Sequence, residues 1–275
     1  MSHRRNVLFG IALVASASLA LAGCASGAQE GGDETTPESG AADYGLVTEG
    51  TLTMCSDIPY APFEFEDSST ETGYTGFDVD LMGAIAENLG LTLAVQDVSF
   101  EALTSGTVLL TGDCDMGASA MTITDERKEN LDFSEPYYDS LQSLLVRADS
   151  GIESVDDLAG KTVGVQQGTT GETYTTENAP DDTEIIRYPS DGELWPAIQA
   201  GQIDAILQDQ PVNIEHERAD ATYTIVEEYD TDESYGFAFA KGEKAELIEA
   251  VNTALKELKD DGTYQEIYDT YFAVN

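Results

Sequence analysis

From Leu46 onward, short apolar runs alternate with stretches whose apolar positions fall three and four residues apart, the change of period that marks strands followed by helices. Thr51-Leu52-Thr53-Met54-Cys55 reads as a strand ending in a loop, Ser56-Asp57-Ile58-Pro59-Tyr60-Ala61-Pro62. Asp78 to Leu89 places Leu81, Ile85 and Leu89 on one helical face beside Met82 and Ala86, and Gly90 stops that helix. Leu91 to Val95 is the next strand. One layout then occurs twice: Thr111 to Ser119 and Ala200 to Asp209 each run from a turn through a strand to polar residues. Between them, Lys161 to Gln166 is a strand that leads into Gly168-Thr169-Thr170-Gly171 and a helix. The stretch from Lys244 to Phe272 is helical, with Leu247, Val251, Ala254 and Leu258 on one face and a break at Asp261-Gly262. Tyr264, Ile267, Tyr268 and Tyr271 continue it as core-packing positions.

Strands alternating with helices predict an α/β protein built on parallel sheets. In open sheets of that kind ligands sit beyond the carboxyl ends of the strands. Both halves of the chain put polar strand ends there, so a cleft between two lobes is the expected site.

The amino-terminal segment stands apart from this pattern. His3-Arg4-Arg5 precedes an apolar run from Val7 to Ala22, and Leu21-Ala22-Gly23-Cys24 closes it. Sixteen apolar or small residues fall short of the roughly 20 that span a bilayer. The layout is that of a secretory signal over residues 1–23, and its end resembles a bacterial lipobox, with Cys24 as the lipidated residue. Residues 24–45, rich in Gly, Ser, Ala, Thr and Glu, read as a flexible tether.

Charge narrows the class of partner. The chain of 275 residues carries 53 Asp and Glu against 12 Lys and Arg, a formal net charge of -41. No run of phosphates can be neutralised by such a surface, which excludes a nucleic-acid binder and a basic patch for anionic lipid. So large an acidic excess also fits a surface adapted to high external salt. With Cys24 taken up by lipid, Cys55 and Cys114 remain as an even pair in an oxidising compartment. A bridge between them would contribute about 2–4 kcal/mol; two buried thiols are the alternative. No CxxC and no Cys/His cluster is present, so neither a structural zinc nor another cofactor is expected.

Ser119-Ala120-Met121-Thr122-Ile123-Thr124-Asp125-Glu126-Arg127 follows a strand and reads as the opening of a helix, with Thr124 as its N-cap. Backbone N–H groups at such a start, together with a guanidinium, form a receptor for a carboxylate. Taken alone, Arg127 fits equally a surface ion pair with one of the many acids. Asp209 in the same way fits a helix-capping acid ahead of Pro211.

Ser-Asp-Ile-Pro-Tyr-Ala-Pro-Phe-Glu-Phe (56–65), Gly-Phe-Asp-Val-Asp-Leu (76–81) and Met-Thr-Ile-Thr-Asp-Glu-Arg (121–127) resemble the bacterial polar amino acid-binding proteins, the family 3 extracellular solute receptors of ABC importers. Phe133 to Tyr138, Val163 to Gly171 and Asp204 to Asp209 carry the same resemblance, which runs from about residue 48 to the carboxyl end. It implies two α/β lobes joined by two strand-like hinges near Ser140–Val146 and Asp232–Phe237. Residues 46–140 and 236–275 would then form a discontinuous lobe 1 and residues 141–235 lobe 2. Carried over residue by residue, Arg127 would clamp the ligand α-carboxylate, helped by Ser119, Thr122 and the N–H groups of Ala120, Thr122 and Thr170. Asp209 would accept from the α-ammonium. Tyr60 and Phe100 would sandwich the ligand side chain, with Asp57 facing its polar tip. That set suits a basic or amide amino acid, since an acidic side chain would need a second basic group that no motif position supplies. Pro196 departs from the family pattern and implies that its helix starts later or is kinked.

The resemblance implies a binding module rather than an enzyme: an exported protein held by lipid at the outer face of the cell membrane or periplasmic, expected to be monomeric, with an ABC permease as partner. Two other classes fit less well. A small-carboxylate dehydratase on the same fold would need catalytic groups, yet His216 is the one histidine after the signal segment, and GxSxG, HExxH and P-loop motifs are all missing. A ligand-sensing ectodomain would need a transmembrane helix or signalling module, and none follows the binding motifs.

Overall fold

The computed structural model describes residues 44–273. The signal segment 1–23, Cys24 and the tether up to residue 43 lie outside the described residues.

The chain enters the core with β1 (Thr51–Ser56), whose Leu52 and Met54 face one apolar cluster and Cys55 another. A small hairpin, β2 (Phe65–Glu66) and β3 (Tyr74–Thr75), leads to α1 (Phe77–Asn88). Gly76, at φ 128°, allows the chain to enter α1 beneath Phe63, whose carbonyl oxygen lies 2.2 Å from where a Cβ would stand. Next come β4 (Thr92–Asp97), α2 (Phe100–Thr104), α3 (Thr107–Leu110), β5 (Met116–Gly117) and β6 (Leu131–Phe133). A disulfide joins Cys55 on β1 to Cys114 just before β5, with Cα atoms 5.8 Å apart. It pins together the two strands whose carboxyl ends carry Asp57 and Ser119.

The middle of the chain forms a second layered unit. It contains β7 (Tyr138–Arg147), β8 (Thr162–Gln166), α4 (Thr170–Asn178), β9 (Glu184–Tyr188), α5 (Asp191–Gln199), β10 (Ala205–Asp209), α6 (Gln210–Ala219) and β11 (Tyr223–Tyr235). After it come β12 (Ala238–Ala240), α7 (Ala245–Asp261) and α8 (Thr263–Phe272), with Gly262 at φ 94° making the break between the two helices.

These elements make two five-stranded sheets, ordered β4-β1-β5-β12-β6 and β11-β7-β10-β8-β9. β1 is parallel to β4 and β5, and β8 is parallel to β9 and β10. The second sheet is mixed rather than parallel throughout, because β7 runs antiparallel to β10 and β11, and its central strands are buried on both faces. Leu144, Val146, Ala205 and Leu207 pack on one side, Leu145 and Ile206 on the other. The fold is two-lobed α/β, and the first lobe is discontinuous because β12 returns to its sheet after the second has been completed. The crossings are made by β7 and β11, which pair antiparallel from Tyr235↔Tyr138 through Glu233↔Ser140.

Two local expectations are corrected. No α-helix follows Thr124: its Oγ1 does accept the Arg127 N–H at 3.1 Å, but the turn it caps is a 3₁₀ segment of three residues, Arg127–Glu129. Nor does the helix near Pro196 start late; α5 begins at Asp191 and runs through the proline, held by its buried Leu194, Ala197 and Ile198.

Candidate functional site

The polar strand ends of both lobes converge. Asp57 and Tyr60 follow β1, Phe100 opens α2, and Ser119, Ala120 and Thr122 follow β5. Arg127 stands in the 3₁₀ turn. Thr170 opens α4 beyond β8, and Asp209 ends β10. All nine line one cavity, with Gln166 and Thr169. The space between them is about 10 Å³, room for about one water. An acid-lined groove of about 870 Å³ opens beside it, sharing Thr122, Arg127 and Thr170 and edged by Glu101, Glu126, Glu172, Glu177 and Asp232.

Arg127 is buried, and its guanidinium donates from Nη1 to the Thr122 carbonyl at 2.8 Å and from Nη2 to the Gly168 carbonyl at 3.0 Å. Its Cζ lies 5.1 Å from the centre of the Phe100 ring. Among the described residues, Arg147, Arg187 and Arg218 each pair with a carboxylate, and Arg127 has none within 4.0 Å. Burial holds it below the usual arginine value, while Asp209 and Glu233 at longer range oppose that shift. A desolvated guanidinium left without a counter-charge in so acidic a chain is a receptor for an anion. The N–H groups of Thr122 and Thr170, which have no protein acceptor among the described residues, line the same cavity.

Asp209 occupies the N-cap position of α6, but its carboxylate makes no cap hydrogen bond. Oδ2 accepts instead from the Tyr60 hydroxyl at 2.8 Å and Oδ1 from Gln142 Nε2 at 2.5 Å. Burial, and then Glu233 beside it, push its carboxyl up to about 6. Asp57 accepts from Gln166 Nε2 at 2.6 Å. Burial pushes it up to about 6 as well; the Gln166 bond works against this, and Asp97 and Asp191 add to it. The Tyr60–Asp209, Gln166–Asp57 and Arg127–Gly168 bonds all cross from one lobe to the other.

The donors expected from Ser119 and Ala120 are committed within the protein, which corrects their role. Ser119 Oγ donates to Glu64 Oε1 at 2.6 Å and accepts from the Asp57 N–H at 3.1 Å. The Ala120 N–H, at a residue with φ of 43°, donates to Asp78 Oδ2 at 2.8 Å, which also accepts from the Tyr137 hydroxyl. Glu64 and Asp78 are fully buried; burial raises both, Asp78 to about 7. The Thr122 hydroxyl is committed too, to Glu233 Oε2 at 2.6 Å. His216 lies outside the cavity, stacked on Trp195 and 2.9 Å from Asp191. Gln142, Gln166 and Glu233 belong to this network without having been assigned a part from the sequence. For Gln142 and Glu233 the available signal was a polar residue facing inward on a hinge strand.

Two lobes that meet on a buried cation and buried acids define a protein that clasps a small polar solute between them. Residues 52–274 match the model of the bacterial extracellular solute-binding proteins, family 3, and the chain belongs to that family. It is similar to the ABC transporter glutamine-binding protein GlnH of Bacillus subtilis (strain 168), at 37% identity over 198 residues, 70% of this chain and 71% of the relative. Among solved structures it resembles an ancestral arginine-binding protein bound to glutamine, with TM-score 0.76 and 35% identity over 82% of this chain and 100% of the other. An ancestral arginine-binding protein bound to arginine matches with TM-score 0.74 and 37% identity, over 82% of this chain and 99% of the other. The chain is thus a binding protein and not an enzyme.

Proposed function

We propose that this chain is the substrate-binding protein of an amino-acid ABC importer and captures a basic or amide L-amino acid by closing its two lobes. The observation that carries this reading is the buried, carboxylate-free guanidinium of Arg127 in one cavity with the buried carboxylate of Asp209, each held by a different lobe. Together they are complementary to a zwitterion. The α-carboxylate docks on Arg127 with the Thr122 and Thr170 N–H groups, and the α-ammonium on Asp209. Tyr60 and Phe100 wall the side chain, and Asp57 meets its tip.

A ligand that touches both lobes binds the closed form better and so shifts the population toward it. The cavity admits no amino acid at its present size, so capture requires the lobes to part first. The acidic groove at its mouth favours approach of a cation over that of an acidic solute. The protein works outside the cell, held through lipid on Cys24 and passing its ligand as a monomer to the permease.

Calorimetric titration with the twenty amino acids tests this. Tight binding of arginine, lysine, histidine or glutamine is expected, and tight glutamate binding without these would overturn the specificity. Arg127→Ala should lower affinity by about 100-fold or more while leaving the melting transition in place. Affinity within about tenfold of the unsubstituted protein would refute the carboxylate assignment.

A further inference from the structure

Glu233 gathers more of the site than any residue singled out from the sequence. Its Oε2 accepts from the Thr122 hydroxyl at 2.6 Å and from the Thr170 hydroxyl at 2.8 Å. Its Oε1 accepts from the Thr231 hydroxyl at 2.7 Å. Gln142 Nε2 lies 3.2 and 3.3 Å from the two oxygens while bonding Asp209. Thr122 belongs to the first lobe and Thr170 to the second, while Gln142 and Glu233 stand on the two hinge strands. One buried carboxylate therefore ties both lobes and both crossings.

The backbone delivers it there by a break in register. The β11–β7 pairing jumps between Tyr229 and Glu233, and Asp232 takes a φ of 58°, a left-handed conformation costly for a residue with a Cβ. Pairing resumes at Glu233↔Ser140.

A threonine hydroxyl has a single proton. Thr122 and Thr170 give theirs to Glu233, so towards the cavity both hydroxyls offer only lone pairs. They can accept from an ammonium and cannot donate to a carboxylate. We propose that Glu233 is a positioning residue that fixes these two hydroxyls as acceptors and, through them, holds the lobes together in the closed form. The acceptor half rests on the amino-acid reading above; the interlobe tie does not.

The test uses the isosteric Glu233→Gln, Glu233→Ala and the carboxylate-retaining Glu233→Asp in the full protein, with melting curves to confirm folding. Small-angle scattering of the ligand-free protein reads the tie alone: Glu233→Ala should enlarge the radius of gyration, and Glu233→Asp should move it back toward the original value. An unchanged radius in folded Glu233→Ala overturns the tie. Calorimetry with L-arginine, L-glutamine and 5-guanidinovalerate, which is arginine without its α-amino group, reads the acceptor role. Glu233→Gln should weaken whichever amino acid binds by about 10- to 100-fold. It should also narrow the gap between L-arginine and its des-amino analogue. Equal weakening of both refutes the acceptor role. If the unsubstituted protein binds neither amino acid, the functional reading fails, and the scattering result still decides the tie.

Discussion

At the scale of single residues the site is a set of acids held near their titration points. Asp209 and Asp57 each sit at about 6, with burial the main cause in both. An ammonium pairs with the ionised form, so binding draws each carboxyl down and releases a proton below that pH. Affinity should hold steady above about pH 7 and fall as pH drops through 6. For glutamine the charge pairing is at Asp209, and the slope approaches about tenfold per pH unit. For a ligand with a cationic tip Asp57 acts as well, and the slope approaches about a hundredfold. Titrations of glutamine and arginine between pH 5 and 8 check this, and flat profiles for both would remove the two acids from recognition. The sign for folding is opposite. A carboxyl raised in the folded state stabilises the protein most below the unfolded value near 3.8. That contribution is lost as pH rises through about 6, and for Asp78 through about 7.

At the scale of elements, local pattern and long-range pairing divide what the sequence could disclose. The apolar spacing from Leu81 to Leu89 and from Leu247 to Leu258 predicted α1 and α7, because helices bury one periodic face. The strands leading to Asp57, Thr122, Thr170 and Asp209 are legible as short apolar runs closing on polar residues, whereas the parts given to Asp57, Thr122 and Thr170 come from the family resemblance. The segment after Thr124 misled: a capping hydroxyl is present, but Glu126-Arg127-Lys128-Glu129-Asn130 has no apolar face to hold a helix. The bonds of Gln142 to Asp209 and of Glu233 to Thr122 join residues 67 and 111 positions apart, and no local pattern encodes them. The same packing limits α4. A Cβ on Gly171 would stand 2.9 Å from Gln142 Oε1 and 3.1 Å from the Leu207 carbonyl oxygen. Gly171→Ala should push the start of α4, and Thr170 with it, away from β10. We expect a stability loss of about 1–3 kcal/mol in chemical denaturation together with weaker ligand binding. Unchanged values in both assays would show that α4 tolerates the shift.

At the scale of the molecule, charge is the dominant global fact. With a formal charge of -41, mutual repulsion opposes the compact state wherever it is not screened. The screening length falls from about 10 Å at 0.1 M salt to about 3 Å at 1 M. The melting temperature should therefore climb steadily from dilute buffer to molar sodium chloride, and a maximum in dilute buffer would count against a surface suited to brine.

The return of β12 to a place between β5 and β6 makes the first sheet depend on a late segment of the chain. Every strand of the second sheet precedes residue 238 in the chain. Without β12 the first sheet would be an incomplete layer, its β5 and β6 lacking the strand that joins them. The late segment acts as a keystone. It closes the layer on which the loop carrying Arg127 is mounted, between β5 and β6.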